Sequence, residues 1–181
     1  MKKKVMLFDE IAVDRALTRL SFEIIEKSSN PKNIVLVGIK TRGIPMAKIL
    51  AQKIAEHGGP TLPVCALDIT FYRDDLSKMY DAPTVKSADL GTDINGKEVI
   101  LVDDVIYTGR TIRAAIDAVF SNGRPDKIGL AVLVDRGHRE LPIKPDYVGK
   151  NVPTSRREVI KVEFAEIDGT TEVGLYELEE D

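Results

Sequence analysis

Three short apolar runs constrain the fold of this chain more than any other feature of the sequence. They cover residues 34–39, 98–102 and 128–134, and each is rich in aliphatic and β-branched side chains. Continuous runs of this length are typical of strands buried on both faces, as in a parallel β-sheet. Such strands need helices on both sides of the sheet, and this requirement predicts an α/β fold.

Segments with helical spacing of apolar residues separate these runs. The predicted helices cover residues 10–27, 44–56 and 111–120. The first helix is expected to bury a face formed by Ile11, Leu17, Leu20, Ile24 and Ile25. The remaining predicted strands cover residues 62–72, 146–148, 159–164 and 173–178. The last two are expected to form a hairpin around Asp168-Gly169, and the overall order predicts a mainly parallel sheet with right-handed crossovers.

Length and composition limit the class of the protein. A chain of 181 residues, 43% of them hydrophobic, is long enough for one domain with a substantial core, and we expect a single domain over residues 1–181. Its one cysteine, Cys65, excludes an intramolecular disulfide and is expected to be a core side chain. Because no apolar run approaches the roughly 20 residues of a membrane span, we expect a soluble cytoplasmic protein without a membrane partner.

Polar loops that contain glycine follow each of the three apolar runs. They cover residues 40–43, 103–111 and 135–139. Because the carboxyl ends of parallel strands meet at one edge of a sheet, we expect these loops to lie together there, where open α/β sheets bind ligands. This convergence is the main indication of a functional site.

The central loop combines an acid pair with a turn suited to phosphate. Asp103 and Asp104 can bind vicinal hydroxyls or a hard cation such as Mg²⁺. Thr108, Gly109 and Thr111 then open a helix, whose N-terminal N–H groups favour an anion. Together the two halves fit a sugar phosphate that lies across the loop.

Another glycine-containing segment fits nucleotide binding less well. Residues 91–97 have the spacing of a Walker A motif, but Glu98 stands where a Ser or Thr must bind Mg²⁺. The segment also precedes a strand instead of following one. We therefore predict an ordinary turn here.

Residues 99–111, VILVDDVIYTGRT, resemble the phosphoribosyl pyrophosphate (PRPP) motif of the type I phosphoribosyltransferases. The resemblance implies the fold of that family, a mainly parallel sheet flanked by helices. It also implies that the acid pair binds the ribose hydroxyls, with Asp104 as the candidate catalytic residue, and that the turn binds the 5′-phosphate. The residues implied to bind PRPP are Asp103, Asp104, Val105, Ile106, Tyr107, Thr108, Gly109, Arg110 and Thr111.

The same resemblance gives roles to other loops. The implied pyrophosphate loop consists of Lys40, Thr41, Arg42 and Gly43. Residues 73–96 are implied to form a flexible hood over the substrate, with Arg73 as a contact. Backbone groups of Val134, Asp135 and Arg136 are expected to bind the base. Mg²⁺ is expected to bind mainly through PRPP, with the acid pair as its nearest protein groups.

Further segments narrow the resemblance to the bifunctional family of pyrimidine-operon attenuation regulators with uracil phosphoribosyltransferase activity. These segments are residues 15–19, 68–70, 72–76, 133–143 and 149–156. The match extends over about residues 9–168. It implies a protein that joins uracil to PRPP, giving UMP and pyrophosphate, and that binds the leader mRNA of pyrimidine operons with UMP as co-regulator. It also implies a homo-oligomer, a dimer or larger.

The charge distribution is compatible with an RNA partner although the formal net charge is -3. Residues 136–157 hold six Lys or Arg against two acids, whereas residues 158–181 hold nine acids against one Lys. An acidic tail therefore masks a basic body, and local charge governs binding to a phosphate backbone. The RNA contacts implied by the resemblance are Thr18, Arg19, His138, Arg139, Lys144, Lys150, Thr154 and Arg156.

Two alternative interpretations differ in function. One is an RNA-binding regulator whose ligand is UMP and whose catalysis is minor. The other is a purine or other nucleobase phosphoribosyltransferase without an RNA partner. RNA binding with and without UMP tests the first, and the base preference of a pyrophosphate-release assay tests the second.

Overall fold

The computed structural model describes residues 1–69 and 89–179. The strands are β1 (Lys2–Phe8), β2 (Ile34–Ile39), β3 (Val64–Leu67), β4 (Glu98–Ile106), β5 (Lys127–Asp135), β6 (Tyr147–Asn151), β7 (Glu158–Glu163) and β8 (Glu172–Glu177). The helices are α1 (Glu10–Lys27), α2 (Gly43–Glu56), α3 (Arg110–Asn122) and α4 (Ala165–Asp168), with a 3₁₀ turn at Pro31–Asn33.

The main sheet is parallel and has the strand order β3-β2-β4-β5-β6. All six residues of β2 are buried, and alternate side chains supply the two faces of the sheet. Ile34 and Leu36 pack in the cluster with α1 and α2, while Val35 and Val37 pack in the cluster with α3. This arrangement confirms the predicted α/β fold with helices on both faces.

Helix α1 covers the residues predicted for it, and its N-terminus is capped. The Asp9 carboxylate accepts a hydrogen bond from the Ala12 N–H at 2.8 Å. Leu17 and Leu20 are buried as predicted. The prediction for Ile11 is wrong, since its side chain is 62% exposed. Ile11 lies six positions before Leu17, and in a helix of 3.6 residues per turn this spacing places the Ile11 side chain about 120° around the helix from that of Leu17.

A second, smaller sheet is antiparallel and has the order β1-β8-β7. The structure confirms the predicted hairpin of β7 and β8 and places α4 in the segment that connects the two strands. Strand β1 was not predicted, because its residues are mostly exposed and show no alternation. Ion pairs attach it to the sheet: Lys3 to Glu172, and Lys4 to Glu158.

The structure changes several predicted boundaries. Strand β4 continues to Ile106, so the acid pair lies within the strand instead of after it. Strand β3 ends at Leu67, and the predicted continuation to residue 72 lies partly outside the described residues, as do Arg73 and most of the predicted hood. The described end of the hood segment packs into the core through Leu90 and Ile94.

Two further expectations concern Cys65 and the apolar character of the helices. Cys65 is buried in β3, and burial raises the pKa of its thiol, in agreement with the predicted core role. Within the described ranges, none of the helices has the length and apolar character needed to cross a membrane.

Candidate active site

The three predicted loops meet at the carboxyl edge of the parallel sheet. Strand β4 pairs with β2 on one side and with β5 on the other, so the residues that follow these strands are neighbours. The three loops, which are the pyrophosphate loop (residues 40–43), residues 103–111 and residues 135–139, therefore lie along one edge. Residues 103–111 contain the acid pair (Asp103 and Asp104) and the phosphate loop (residues 107–111). The predicted convergence of these segments is confirmed.

The acid pair is held in a dry environment. Asp103 is only 8% exposed, and its Oδ1 accepts the Asp104 N–H at 3.0 Å. The Asp104 Oδ1 accepts the Val105 N–H at 2.9 Å. Burial raises the pKa of Asp103, and the charge of Asp104 raises it further. Burial also raises the pKa of Asp104, while its hydrogen bond with Asp103 and the charge of Arg42 act in the opposite direction.

A buried and a half-buried carboxyl group side by side at this edge fit a partner that supplies positive charge or hydroxyl donors. Ionisation of both groups costs free energy until such a partner arrives. Mg²⁺ typically uses one or two carboxylates and completes its coordination with water and substrate phosphates. Within residues 1–69 and 89–179 no cluster of three or more His, Cys, Asp or Glu side chains forms a metal site.

The phosphate loop has the geometry of an anion-binding turn. Gly109 adopts a left-handed backbone with φ of 94° and directly precedes α3, whose first turn contains no acidic residue. The Thr108 hydroxyl accepts the Arg110 N–H at 3.3 Å. Ile106 is 1% exposed and its carbonyl accepts the Arg136 N–H at 3.2 Å, so it supports the loop from the core. Tyr107, by contrast, is 37% exposed at the start of the loop.

The pyrophosphate loop packs tightly against β4. A Cβ atom on Gly43 would lie 2.2 Å from the Val102 carbonyl oxygen, so only glycine allows this approach. The Lys40–Thr41 peptide bond is cis. The Lys40 Nζ lies 2.8 Å from Asp68 Oδ2. The two cationic side chains predicted to bind pyrophosphate, Lys40 and Arg42, are thus both engaged with carboxylates.

The partner of Arg42 is Asp168, which the sequence pattern predicts only as part of a hairpin turn. The Arg42 Nη2 donates to Asp168 Oδ1 at 2.6 Å, and its Nε donates to Oδ2 at 3.2 Å. The Phe164 N–H also donates to Oδ2 at 3.0 Å. The hydrogen bond between the two side chains raises the pKa of Arg42 and lowers that of Asp168. Helix α4 therefore belongs to the site.

The predicted base-binding residues differ in what they can offer. Val134 is fully buried in the core, and Arg136 is 7% exposed. The Arg136 guanidinium donates to Thr154 Oγ1 and to the Glu158 carbonyl, and it lies 4.1 Å from the Tyr107 ring centroid. Arg136 thus joins loops together instead of pointing to a ligand. Next to it is an open pocket lined by Asp135, Arg136, Gly137, His138, Arg139, Asn151, Pro153 and Thr154.

The predicted RNA contacts fall into two groups. Lys144, Lys150 and Arg156 are exposed, while Thr18 and Arg19 line an open groove on α1. The Arg19 Nη2 donates to the Val148 and Gly149 carbonyls, which joins this groove to β6 beside Lys150. Its Nη1 donates to Glu23 Oε1, so this guanidinium is also engaged within the protein. The second group is hydrogen-bonded within the protein.

This second group consists of Arg139, His138 and Thr154, of which His138 is exposed and the other two are half-buried. The His138 Nε2 lies 2.5 Å from the Thr154 carbonyl oxygen. Arg139 makes hydrogen bonds to Asp135 and to the backbone, and its side chain is 22% exposed. These contacts occupy donors of Arg139 and the Nε2 atom of His138. A charge pattern in a sequence cannot show that such groups are already used within the protein.

Comparisons with known proteins agree with this geometry. Residues 6–166 match the family model of the phosphoribosyl transferase domain. A bifunctional protein PyrR from Clostridium perfringens is 58% identical over 177 residues, which are 98% of this chain and 99% of the relative. The chain belongs to the PyrR family. PyrR proteins of Thermoanaerobacter pseudethanolicus and Acetivibrio thermocellus are 56% and 53% identical, covering 98% and 99% of this chain and 99% and 97% of the relatives.

Solved structures show that this PyrR family member has the fold of the phosphoribosyltransferases. A hypoxanthine phosphoribosyltransferase from Staphylococcus aureus superposes with a TM-score of 0.72 at 21% identity, covering 96% of this chain and 92% of that chain. The enzyme from Trypanosoma cruzi gives a TM-score of 0.72 at 18% identity and covers 98% of both chains. Identities this low support the fold and not the choice of base.

Proposed function

We propose that the protein is a UMP-dependent RNA-binding attenuator of pyrimidine operons that also transfers phosphoribose from PRPP to uracil. One observation carries the enzymatic half: the acid pair and the glycine turn of the phosphate loop lie side by side at the carboxyl edge of the sheet. This arrangement fits a ribose 5-phosphate with its hydroxyls on the carboxylates. Membership of the PyrR family supports the regulatory half.

In the reaction, the N1–C1′ bond forms while the C1′–O bond to pyrophosphate breaks, and N1 loses its proton. Positive charge develops on the ribose ring and negative charge on pyrophosphate, so catalysis depends on positioning and electrostatics. Asp103 and Asp104 hold the ring and stabilise its developing charge. Asp104 is also the candidate acceptor of the N1 proton, because burial raises its pKa.

The leaving group is received by the pyrophosphate loop. Lys40 and Arg42 lie at the same edge as the acid pair, and each has a carboxylate partner that an incoming pyrophosphate would replace or share. Mg²⁺ bound with PRPP would be held near Asp103 and Asp104 and would neutralise phosphate charge. The 5′-phosphate is bound by backbone N–H groups and hydroxyls of residues 108–111.

The proposed RNA site extends from the α1 groove to β6. Thr18 and Arg19 supply the α1 side, and Lys144, Lys150 and Arg156 supply exposed cations. Single-stranded RNA loops are bound through base edges, 2′-hydroxyls and phosphates, which these side chains suit. UMP is the proposed co-regulator, and its phosphate and ribose bind in the site of the PRPP sugar.

The purine alternative is less well supported. Hypoxanthine enzymes share the fold at 17–21% identity, whereas the PyrR relatives are 53–58% identical over nearly the whole chain. The proposal is tested by measuring pyrophosphate release from PRPP with uracil and with hypoxanthine. Activity with uracil and little with hypoxanthine is expected, and a preference for hypoxanthine would overturn the base assignment.

The regulatory half needs its own measurement. A gel shift with a pyrimidine-operon leader RNA is expected to show tighter binding when UMP is added. The affinity should fall as the salt concentration rises. On single strands, each phosphate contact lowers the logarithm of the association constant by about 0.7 for every tenfold rise in salt. Equal binding with and without UMP would remove UMP as co-regulator.

A further inference from the structure

The segment that connects β5 to β6 is fastened to the phosphate loop. In this connecting segment (residues 137–143), the N–H groups of Glu140 and Leu141 donate to the Thr108 carbonyl at 2.9 and 3.2 Å. A Cβ on Gly109 would lie 3.5 Å from the Leu141 Cβ and 3.6 Å from the Ile143 Cβ. The two segments are therefore in contact through both backbone and side chains, and neither can shift alone.

Arg139 makes the most far-reaching of these contacts. Its Nη1 donates to the Tyr107 carbonyl at 2.7 Å, its Nε donates to the Ile143 carbonyl at 2.9 Å, and its Nη2 donates to Asp135 Oδ2 at 2.5 Å. One planar group thus joins the end of β5, the start of the phosphate loop and the end of the connecting segment. An arginine used this way has few donors left for an external ligand.

We infer that Arg139 is a positioning residue that couples the nucleotide phosphate site to the RNA-binding surface, and not a direct RNA contact. The inference rests on the proposed function. Tyr107 directly precedes the turn that receives the phosphate, and Ile143 directly precedes the exposed Lys144. A phosphate that fixes residues 108–111 therefore also fixes the position of Lys144 and of the chain that enters β6.

Thermodynamic linkage makes this coupling reciprocal. If UMP tightens RNA binding by some factor, RNA tightens UMP binding by the same factor, and couplings of this kind are about 5- to 150-fold. The three hydrogen bonds of Arg139 depend on the fixed fork of the guanidinium. A lysine would retain the charge but could not reproduce the fork. Arg139→Lys therefore separates a geometric role from a purely electrostatic one.

The experiment compares leader RNA affinity without UMP and at saturating UMP, in the full-length protein. The wild type gives a reference ratio of the two dissociation constants. Both Arg139→Lys and Arg139→Gln are expected to bring this ratio to within about twofold of 1. Both are expected to keep the wild-type salt dependence, because no RNA phosphate contact is removed. Circular dichroism checks the fold, and Arg139→Lys is the milder variant because it keeps the charge and the aliphatic stem.

Lys144→Gln provides the matched control, since Lys144 is exposed and lies next to the connecting segment. It is expected to weaken RNA binding equally with and without UMP, to keep the wild-type ratio, and to reduce the salt exponent by about 0.7.

The opposite pattern at Arg139 would overturn the inference. In that pattern Arg139→Lys behaves as the wild type, while Arg139→Gln weakens RNA binding equally in both states and lowers the salt exponent. A wild-type ratio that survives in both Arg139 variants would also overturn it while leaving the proposed function intact. Wild-type protein that bound no leader RNA would instead refute the proposed function itself.

Discussion

Arg42 and Asp168 are joined by two hydrogen bonds, 2.6 and 3.2 Å long, although 126 positions separate them in the chain. The contact places α4, which connects β7 and β8 of the small sheet, against the pyrophosphate loop, which follows β2 of the large sheet. The charge of Asp104 also acts on Arg42, so the guanidinium lies near two carboxylates. In the proposed reaction, an incoming pyrophosphate competes with Asp168 for the Arg42 donors.

This competition predicts that Asp168→Asn binds PRPP more tightly. The amide keeps the size of the side chain but removes a negative charge near the polyanionic leaving group. The KM for PRPP is expected to fall about fivefold, as for a gain of ~1 kcal/mol. Arg42→Gln is the control and should raise this KM. If Asp168→Asn also raised it, Asp168 would serve to hold Arg42 in place instead of competing for it.

Gly43→Ala is expected to abolish most of the activity. Its Cβ would lie 2.2 Å from the Val102 carbonyl oxygen, so the pyrophosphate loop and β4 must move apart. A displacement of about 1 Å at a reacting centre can cost about 100-fold in rate. Pyrophosphate release measures the loss. Gly58→Asn is the control, because no atom lies within 4 Å of its Cβ position and Asn tolerates its φ of 83°. Full activity in Gly43→Ala would contradict the close packing of this loop.

Acid stability is expected to depend on Glu158. Its contacts with Lys4 and with the Ser155 N–H lower its pKa from 4.5 to about 2. Between these pH values the unfolded chain binds more protons than the folded one, so stability falls as the pH falls from about 4.5 to 2. Glu158→Gln should make this decline shallower, as measured by urea midpoints across that range. An unchanged pH dependence would show that the pair does not form in solution.

Local sequence patterns were sufficient for the parts of the fold that depend on short-range order. The β-branched run at 34–39 predicts β2 at its observed bounds, since a strand buried on both faces needs apolar residues at every position. The acid pair could be predicted as part of a site because strand ends in a parallel sheet share one edge. Strand β1 could not, because its order comes from pairing with β8 at the other end of the chain.

The same contrast between local sequence patterns and tertiary contacts applies to the functional side chains. Sequence patterns identified Arg42, Arg136 and Arg139 as basic residues near a site, but they cannot show which donors are already used inside the protein. Arg42 is held by Asp168, and Arg136 by backbone carbonyls and Thr154. Each of these contacts joins residues that are distant in sequence or belong to different loops. Only the tertiary structure distinguishes a cation that binds a ligand from one that holds the site together.

Substitution of Asp103 tests whether its carboxyl group lowers the stability of the folded protein. Burial and the charge of Asp104 raise its pKa, so between the unfolded and folded pKa values stability falls as the pH rises. At neutral pH, Asp103→Asn removes this penalty, and in protein free of ligand and metal it should raise the melting temperature by roughly 2–4 °C, the shift expected for ~1 kcal/mol.

The same variant should lose function, because the amide cannot provide an anionic acceptor for the ribose hydroxyls or for a metal that accompanies PRPP. We expect turnover to fall by about 100-fold or more. Asp104→Asn is the comparison: the Arg42 charge partly offsets its burial, so its gain in melting temperature should be smaller. Calorimetry in EDTA and pyrophosphate release measure the two effects. A lower melting temperature in Asp103→Asn would mean that this carboxyl group stabilises the fold, and that its burial serves the structure instead of the substrate.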